Sequence, residues 1–334
     1  MKRTLGKSGI EVSALGMGCW AIGGPWNWND DGDLFPAGWG DTDDAESLRA
    51  LQAGLDAGIT FIDTAANYGA GHSEKLVGKA IAGKRDRVVV ATKFGHVIDE
   101  QTKVVYGDND QILGNIRKDC ENSLRRLDTD YIDIYQLHEA RYDTELAPAV
   151  MGVLEELVAE GKIRWYGWST DLVDHARVFA DGEHCTSIQF ALNVALDNPE
   201  MRRLCADHRL AGINKSPFSR GILTGKFDRE HTFADNDVRK GLSFSEGVGA
   251  ERLKVAEAAR EVLTANGHTL PQACLAYIWA LDENMVPIPG FRTVAQVEEN
   301  ARAMELGPLS QEQVDKVREI VAGISSPPGP APGV

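Results

Sequence analysis

The chain is poor in several things that would direct its reading elsewhere. Apolar residues make up 43% of 334, yet no segment approaches the roughly 18 consecutive apolar residues of a membrane span. The start, MKRTLGKSGIEVSALG, is basic but carries no apolar core of a secretory signal. Cysteine is scarce: Cys19, Cys120, Cys185, Cys205 and Cys274 are odd in number, scattered and without a CxxC. That argues against a disulfide scaffold and for a reduced, cytoplasmic setting. Basic residues are in deficit, 35 Lys and Arg against 50 Asp and Glu, a net charge of −15. So acidic a chain does not suit a nucleic-acid or anionic-membrane partner. The eight histidines form neither HxH nor HExxH, so no metal centre is expected. A P-loop and a G-x-S-x-G elbow are also missing. GMGCWA satisfies GxGxxA at Gly16, Gly18 and Ala21, but the loop-like IGGPWNW follows instead of the helix that a dinucleotide fingerprint requires.

Eight short strand-like runs are present: ALGMGCW (14–20), TFIDT (60–64), VVVATK (88–93), YIDIYQLH (131–138), IRWYGWS (163–169), SIQFAL (187–192), AGINKS (211–216) and MVPIP (285–289). Several are too continuously apolar for a half-exposed sheet and imply strands covered by helices. Amphipathic segments lie between them, three of which close at Gly58, Gly161 and Gly267. Alternation repeated eight times predicts a (β/α)8 TIM barrel, with an open doubly wound sheet as the alternative. KRTLGKSGIEVS reads as an N-terminal β-hairpin. Segments 23–40 and 227–245 read as long loops, the kind that usually carry function when found in a compact domain. One domain over residues 1–324 is expected, followed by a disordered Pro- and Gly-rich tail, SSPPGPAPGV (325–334).

In such a barrel the C-terminal strand ends share one rim, where active sites form. Here those ends carry Asp63, Lys93, His138, Ser169, Gln189 and Ser216, with Tyr68 just beyond the second strand. Each has an ordinary reading as a cap or a solvated residue. Together, strands two to four bring an acid, a phenol, an ammonium and an imidazole to one place. A phenol, with a reference pKa of about 10, keeps its proton at neutral pH and can donate it. A nearby ammonium stabilises the phenolate, and a carboxylate keeps that ammonium charged. An imidazole can hydrogen-bond a carbonyl oxygen on which charge develops. The set suits protonating an oxygen while hydride reaches the carbon, and it lacks an obvious nucleophile.

FIDTAANYGAGHSEKLVGKAI, ATKFG, SLRRLDTDYIDIYQLH, PFSRGILTGKF and PIPGFRTVAQVEENARA resemble, in order and spacing, the motifs of the aldo-keto reductase superfamily, from Leu5 to about Val317. The resemblance implies an NAD(P)H-dependent reductase of aldehydes or ketones acting on a small-molecule carbonyl or alcohol. Tyr68 would be the proton donor, Lys93 would lower its pKa, Asp63 would support Lys93, and His138 would orient the carbonyl. It further implies a cofactor groove of Gly18, Cys19, Trp20 and Asp63; of Ser169, Thr170 and Gln189 at the nicotinamide carboxamide; and of Lys215, Ser216, Pro217, Phe218, Ser219, Gly221 and Lys226 along the pyrophosphate. Arg239 would clamp the cofactor, and Gly290, Phe291, Arg292, Thr293, Gln296, Glu299 and Asn300 would hold the adenosine end. A guanidinium at Arg292 suits a 2′-phosphate, favouring NADP(H) over NAD(H).

The chain departs from the family pattern twice. Thr170 stands where an asparagine is common, and Lys215 where an aromatic ring often stacks on the nicotinamide. A lysine charge there would disfavour the oxidised, cationic nicotinamide. Trp26, Trp28 and Trp39, on the first long loop, either line a substrate pocket or pack that loop onto the barrel. Two other functions stay open. One is an NAD(P)+-dependent sugar or alcohol dehydrogenase of the same fold; the other is a cofactor-sensing regulatory subunit similar to potassium-channel β-subunits.

Overall fold

The computed structural model describes residues 1–107 and 111–324; the tail, residues 325–334, lies outside them. Strands β1 (Lys2–Thr4) and β2 (Glu11–Ser13) form the N-terminal hairpin. β3 (Gly16–Gly18), β4 (Asn27–Asp30), β5 (Asp33–Pro36), β6 (Phe61–Asp63), β7 (Val89–Phe94), β8 (His96–Asp99) and β9 (Val104–Gly107) follow. The last five are β10 (Ile132–Leu137), β11 (Ile163–Ser169), β12 (Cys185–Ala191), β13 (Ala211–Lys215) and β14 (Met285–Pro287). Every run expected as a strand overlaps one.

Eight of these, in the order β14-β13-β12-β11-β10-β7-β6-β3, form one sheet, and all its pairings are parallel. The edges meet where Gly18 bridges Gly290 and the Gly18 amide donates to Pro289 O at 3.0 Å. A side chain at Gly18 would bring its Cβ to 2.5 Å from Ile288 O, so closure needs glycine there. The result is the expected barrel rather than an open sheet. Helices over Asp44–Asp56, His72–Ile81, Ile112–Leu127, Ala147–Ala159 and Val173–Ala180 cross between successive strands. They cover the outer strand faces, where Ile62, Val90, Tyr135, Trp168, Ile188 and Phe190 lie in the main apolar core.

The inner face explains why apolar strands end in charge. Side chains alternate across a strand, so every second residue points into the barrel. Phe61, Val89, Ala91, Ile134, Ala211, Ile213, Val286 and Ile288 fill its lower part, plugged from below by Leu5 and Val12 of the hairpin region. Two residues further along the same strands, the same inward positions become Asp63, Lys93 and Gln136, with Ser169 and Gln189 alongside. An apolar floor thus supports a polar upper layer.

The rim differs from expectation in one respect. Segment 23–40 is not structureless: β4 and β5 form a hairpin that joins the β8–β9 hairpin in a four-stranded sheet, ordered β5-β4-β9-β8. Its turn places Asp31 (φ 50) and Gly32 (φ 100) in the left-handed region, as a two-residue hairpin with Asp-Gly does. The second long segment, 227–245, contains no helix or strand, apart from the isolated bridge of Asp237 to Trp39.

Candidate active site

The polar layer converges on Asp63. Its Oδ2 accepts from Lys93 Nζ at 2.7 Å, and its Oδ1 accepts from Gln189 Nε2 at 2.7 Å and Gln136 Nε2 at 3.3 Å. The pair is sealed, with side-chain exposures of 2% and 0% for Asp63 and Lys93. Lys93 Nζ also donates to Thr64 O at 2.7 Å and lies 3.4 Å from Tyr68 Oη. The Tyr68 ring packs edge-on to His138, with centroids 5.8 Å apart. Strand register brings these groups together: Asp63 pairs with Ala91, two residues before Lys93, and Gln136 is level with Lys93.

Tyr68 sits in a tight turn after β6. Gly69 (φ 63) follows it, and a Cβ on Gly69 would fall 1.9 Å from Gly23 O. The phenol is therefore aimed by a turn wedged against the loop after β3.

The electrostatics follow from this burial. Burial first, then the Asp63 carboxylate and the Cys19 thiol, push the Tyr68 phenol well above its ordinary value. The Lys93 ammonium, 3.4 Å from Tyr68 Oη, is held in place by Asp63 at contact distance. Burial outweighs Asp63 and lowers Lys93 from its ordinary value. Burial, with the Lys93, His96 and Lys215 charges adding, holds His138 well below the usual imidazole range. The phenol is thus a proton holder and His138 a neutral imidazole.

The remaining expected residues divide. Trp20 stacks on Tyr68 at 6.0 Å and donates its indole N–H to Ala37 O. Ser169 Oγ reaches Gln189 Oε1 at 3.5 Å, so both side chains join the Asp63 network. Cys19 is fully buried, its thiol donating to Met17 O. The Thr170 hydroxyl donates to Ala140 O and accepts from the Leu172 amide; it shapes a turn instead of replacing an asparagine amide. Lys215 Nζ lies 3.1 Å from Asp171 Oδ2. That carboxylate pairs with the ammonium, whose charge is therefore not isolated. The two residues could be linked only once β11 and β13 were placed in one barrel.

Beyond β13 the loop is strained, with Ser216 (φ 56), Ser219 (φ 48) and Arg220 (φ 55) in the left-handed region. Pro217 is buried, Phe218 packs on the core, and Gly221 leads into a short helical turn. Arg239 pairs with Asp237 and lies over the Trp39 and Phe233 rings. Arg292 donates to the carbonyls of Trp39 and Asp41. Thr293 caps helix Val294–Leu306, Gln296 accepts from the Arg292 amide, the Glu299 carbonyl accepts from Gln272, and Phe291 and Asn300 are buried.

Beside Arg220, which lies in the run expected along the pyrophosphate, one cation, Arg252, escaped sequence reasoning. Arg220 is lowered by burial and by its neighbours Arg252 and Arg239, and Arg252, lowered by burial, donates to Ser219 Oγ at 2.7 Å. Among the described residues neither forms an ion pair. Burial, Arg239 and Arg292 likewise lower Lys226. These cations outnumber the carboxylates that act on them, Asp237 and Glu251, and such an excess suits an anionic ligand. Arg252 carried no signal in the sequence at all.

Of the tryptophans, Trp26 is buried with Ala37, Ala70 and Val105, so it packs the loop onto the barrel. Trp39 holds the two long segments together through Arg239 and its bridge to Asp237. Trp28 alone borders a cleft of about 300 Å³, with Asn29, Asp30, Asp31, Tyr106, Gly107 and Glu139.

A family model described as the aldo/keto reductase family matches residues 14–322. The chain belongs to that family. The family comprises NAD(P)H-dependent oxidoreductases. The aldo-keto reductase YhdN of Bacillus subtilis (strain 168) is 37% identical over 242 residues, 71% of this chain and 67% of the relative. The NADH-specific methylglyoxal reductase of Escherichia coli (strain K12) is 30% identical over 335 residues, 97% and 99% of the two. An aldo-keto reductase from Klebsiella pneumoniae, solved in complex with NADPH, superposes with a TM-score of 0.68 at 28% identity, covering 100% of this chain and 99% of that one. No helix among the described residues is long and apolar enough to cross a membrane.

Proposed function

We propose that this chain reduces the carbonyl group of an aldehyde or ketone with NADPH, using Tyr68 as the proton donor. The observation that carries the reading is the sealed Asp63–Lys93 pair with the Tyr68 phenol 3.4 Å from the ammonium. The groove residues fit an anionic dinucleotide: Arg220 and Arg252 lack carboxylate partners, and Lys226 and Arg292 stand nearby. The phosphate-bearing form gives those cations more to bind, which favours NADPH here although the Escherichia coli relative is NADH-specific.

When bound, the cofactor supplies hydride to the carbonyl carbon. The protein supplies the rest. Tyr68 Oη gives its proton to the carbonyl oxygen, becoming a phenolate that Lys93 Nζ stabilises. Asp63 keeps Lys93 charged and is itself held by Gln136 and Gln189. His138, neutral, donates a hydrogen bond to the same oxygen and so lowers the cost of charge developing there. Trp20 and the Trp26 loop exclude water from one side.

Tyr68→Phe tests the assignment. Turnover of a panel of aryl, aliphatic and sugar carbonyls should fall by about 10²-fold or more, while the NADPH dissociation constant stays within twofold. Undiminished turnover in the variant overturns the role of Tyr68. Tight NADPH binding by the wild type without turnover of any carbonyl favours the cofactor-sensing reading.

A further inference from the structure

His96 opens β8, immediately after the lysine strand and Gly95. Its ring completes an unbroken run of aromatic contacts along the rim. Trp20 meets Tyr68 at 6.0 Å, Tyr68 meets His138 at 5.8 Å, His138 meets His96 at 5.2 Å, and His96 meets the edge of Trp28 at 4.9 Å. In that run the proton donor lies on one side of His138 and His96 on the other. Trp28, beyond His96, borders the outer cleft. A substituent that leads from a carbonyl held at Tyr68 and His138 toward that cleft passes His96.

The ring's hydrogen-bonding state can be read from its surroundings. Nδ1 is sealed from solvent and makes no hydrogen bond, and the Gly95 backbone is the polar group beside the ring. A neutral imidazole with its proton on Nδ1 presents Nε2 as an acceptor. Burial lowers His96 to about 4, so the ring is neutral at ordinary assay pH.

Resting on the carbonyl-reductase reading above, we propose that His96 is a specificity-determining residue that accepts a hydrogen bond from a hydroxyl on the carbon next to the carbonyl. Two rings with centroids 5.2 Å apart can each reach one of two oxygens on adjacent carbons at ordinary hydrogen-bond lengths of about 2.8 Å. The substrates so favoured are α-hydroxy aldehydes and ketones. α-Diketones, which have no proton to give Nε2, are not. Two features separate this contact from mere packing: it discriminates donor from acceptor, and an amide can replace it.

The test compares three ketones of one carbon skeleton: unsubstituted, α-hydroxy and α-oxo. NADPH oxidation is followed with wild type, His96→Leu and His96→Gln. His96→Leu should lower kcat/KM for the α-hydroxy ketone about tenfold more than for the unsubstituted one, chiefly through KM. The α-oxo compound should follow the unsubstituted one, and His96→Gln, whose amide oxygen accepts, should restore most of the difference. If His96→Leu does not fold, as judged by NADPH binding, His96→Phe carries the same comparison. Equal losses on all three ketones overturn the proposal while leaving the carbonyl-reductase reading intact. A wild type that binds NADPH yet reduces none of them overturns that reading itself.

Discussion

The Asp63–Lys93 pair makes the sharpest claim on stability. Both side chains are at most 2% exposed, and their contact is 2.7 Å. Lys93→Met keeps the stem's bulk but removes the charge, leaving a buried carboxylate with only Gln136 and Gln189 as donors. Breaking a buried ion pair from one side costs about 3–5 kcal/mol, because the remaining charge is neither hydrated nor compensated. Asp63→Asn/Lys93→Met removes both charges and should be more stable than the two single losses predict, by about 2 kcal/mol or more of coupling. Urea unfolding, followed by tryptophan fluorescence at pH 8 and pH 5.5, measures this. In Lys93→Met the stranded Asp63 should have its folded pKa raised above its unfolded value. Its proton-bound form then stabilises at low pH and that contribution is lost as pH rises, so the Lys93→Met penalty should shrink at pH 5.5. A penalty under about 1 kcal/mol, or strict additivity in the double variant, would show that the pair is not the buried, mutually dependent unit described here.

Three further outcomes are expected. Gly69→Ala, which forces a Cβ to 1.9 Å from Gly23 O at φ 63, should lower the melting temperature far more than Gly161→Ala. The latter position has φ 73 but nothing within 4 Å and should lose only about 1 kcal/mol; equal shifts refute the wedge. His96 stays neutral when folded, at about 4, against an unfolded 6.5. The unfolded chain therefore binds more protons as pH falls through 6.5, and stability declines toward pH 4, by about 2 kcal/mol from this ring at pH 5. Thermal melts of His96→Gln should show a correspondingly weaker loss between pH 7.5 and 5. Arg220→Ser/Arg252→Ser should weaken NADPH binding at least tenfold and NADH binding far less, as read by fluorescence titration; equal weakening would place these cations away from the 2′-phosphate.

Much of this arrangement was legible in one dimension because a parallel barrel has few ways to be built. Continuously apolar strands demand cover on their outer faces, and the two-residue period then forces alternate side chains inward. Asp63, Lys93 and His138 each end such a run, so their meeting at one rim follows from pattern and topology together. The rim sheet was less legible. Its strands are short and polar, and they pair with a hairpin some 70 residues away (Asn27 with Val104); only the Asp31-Gly32 turn signalled it.

Sequence alone determined the eight strands, the barrel and the identity of the four central groups, because period, order and motif spacing are local properties of the chain. Tertiary structure decided which charges are free. Asp171 pairs with Lys215, Asp63 pairs with Lys93 inside the barrel, Thr170 turns to the backbone, and Arg220 and Arg252 form no ion pair among the described residues. Charge compensation and burial depend on distances between segments remote in the chain, and only the closed barrel sets those distances.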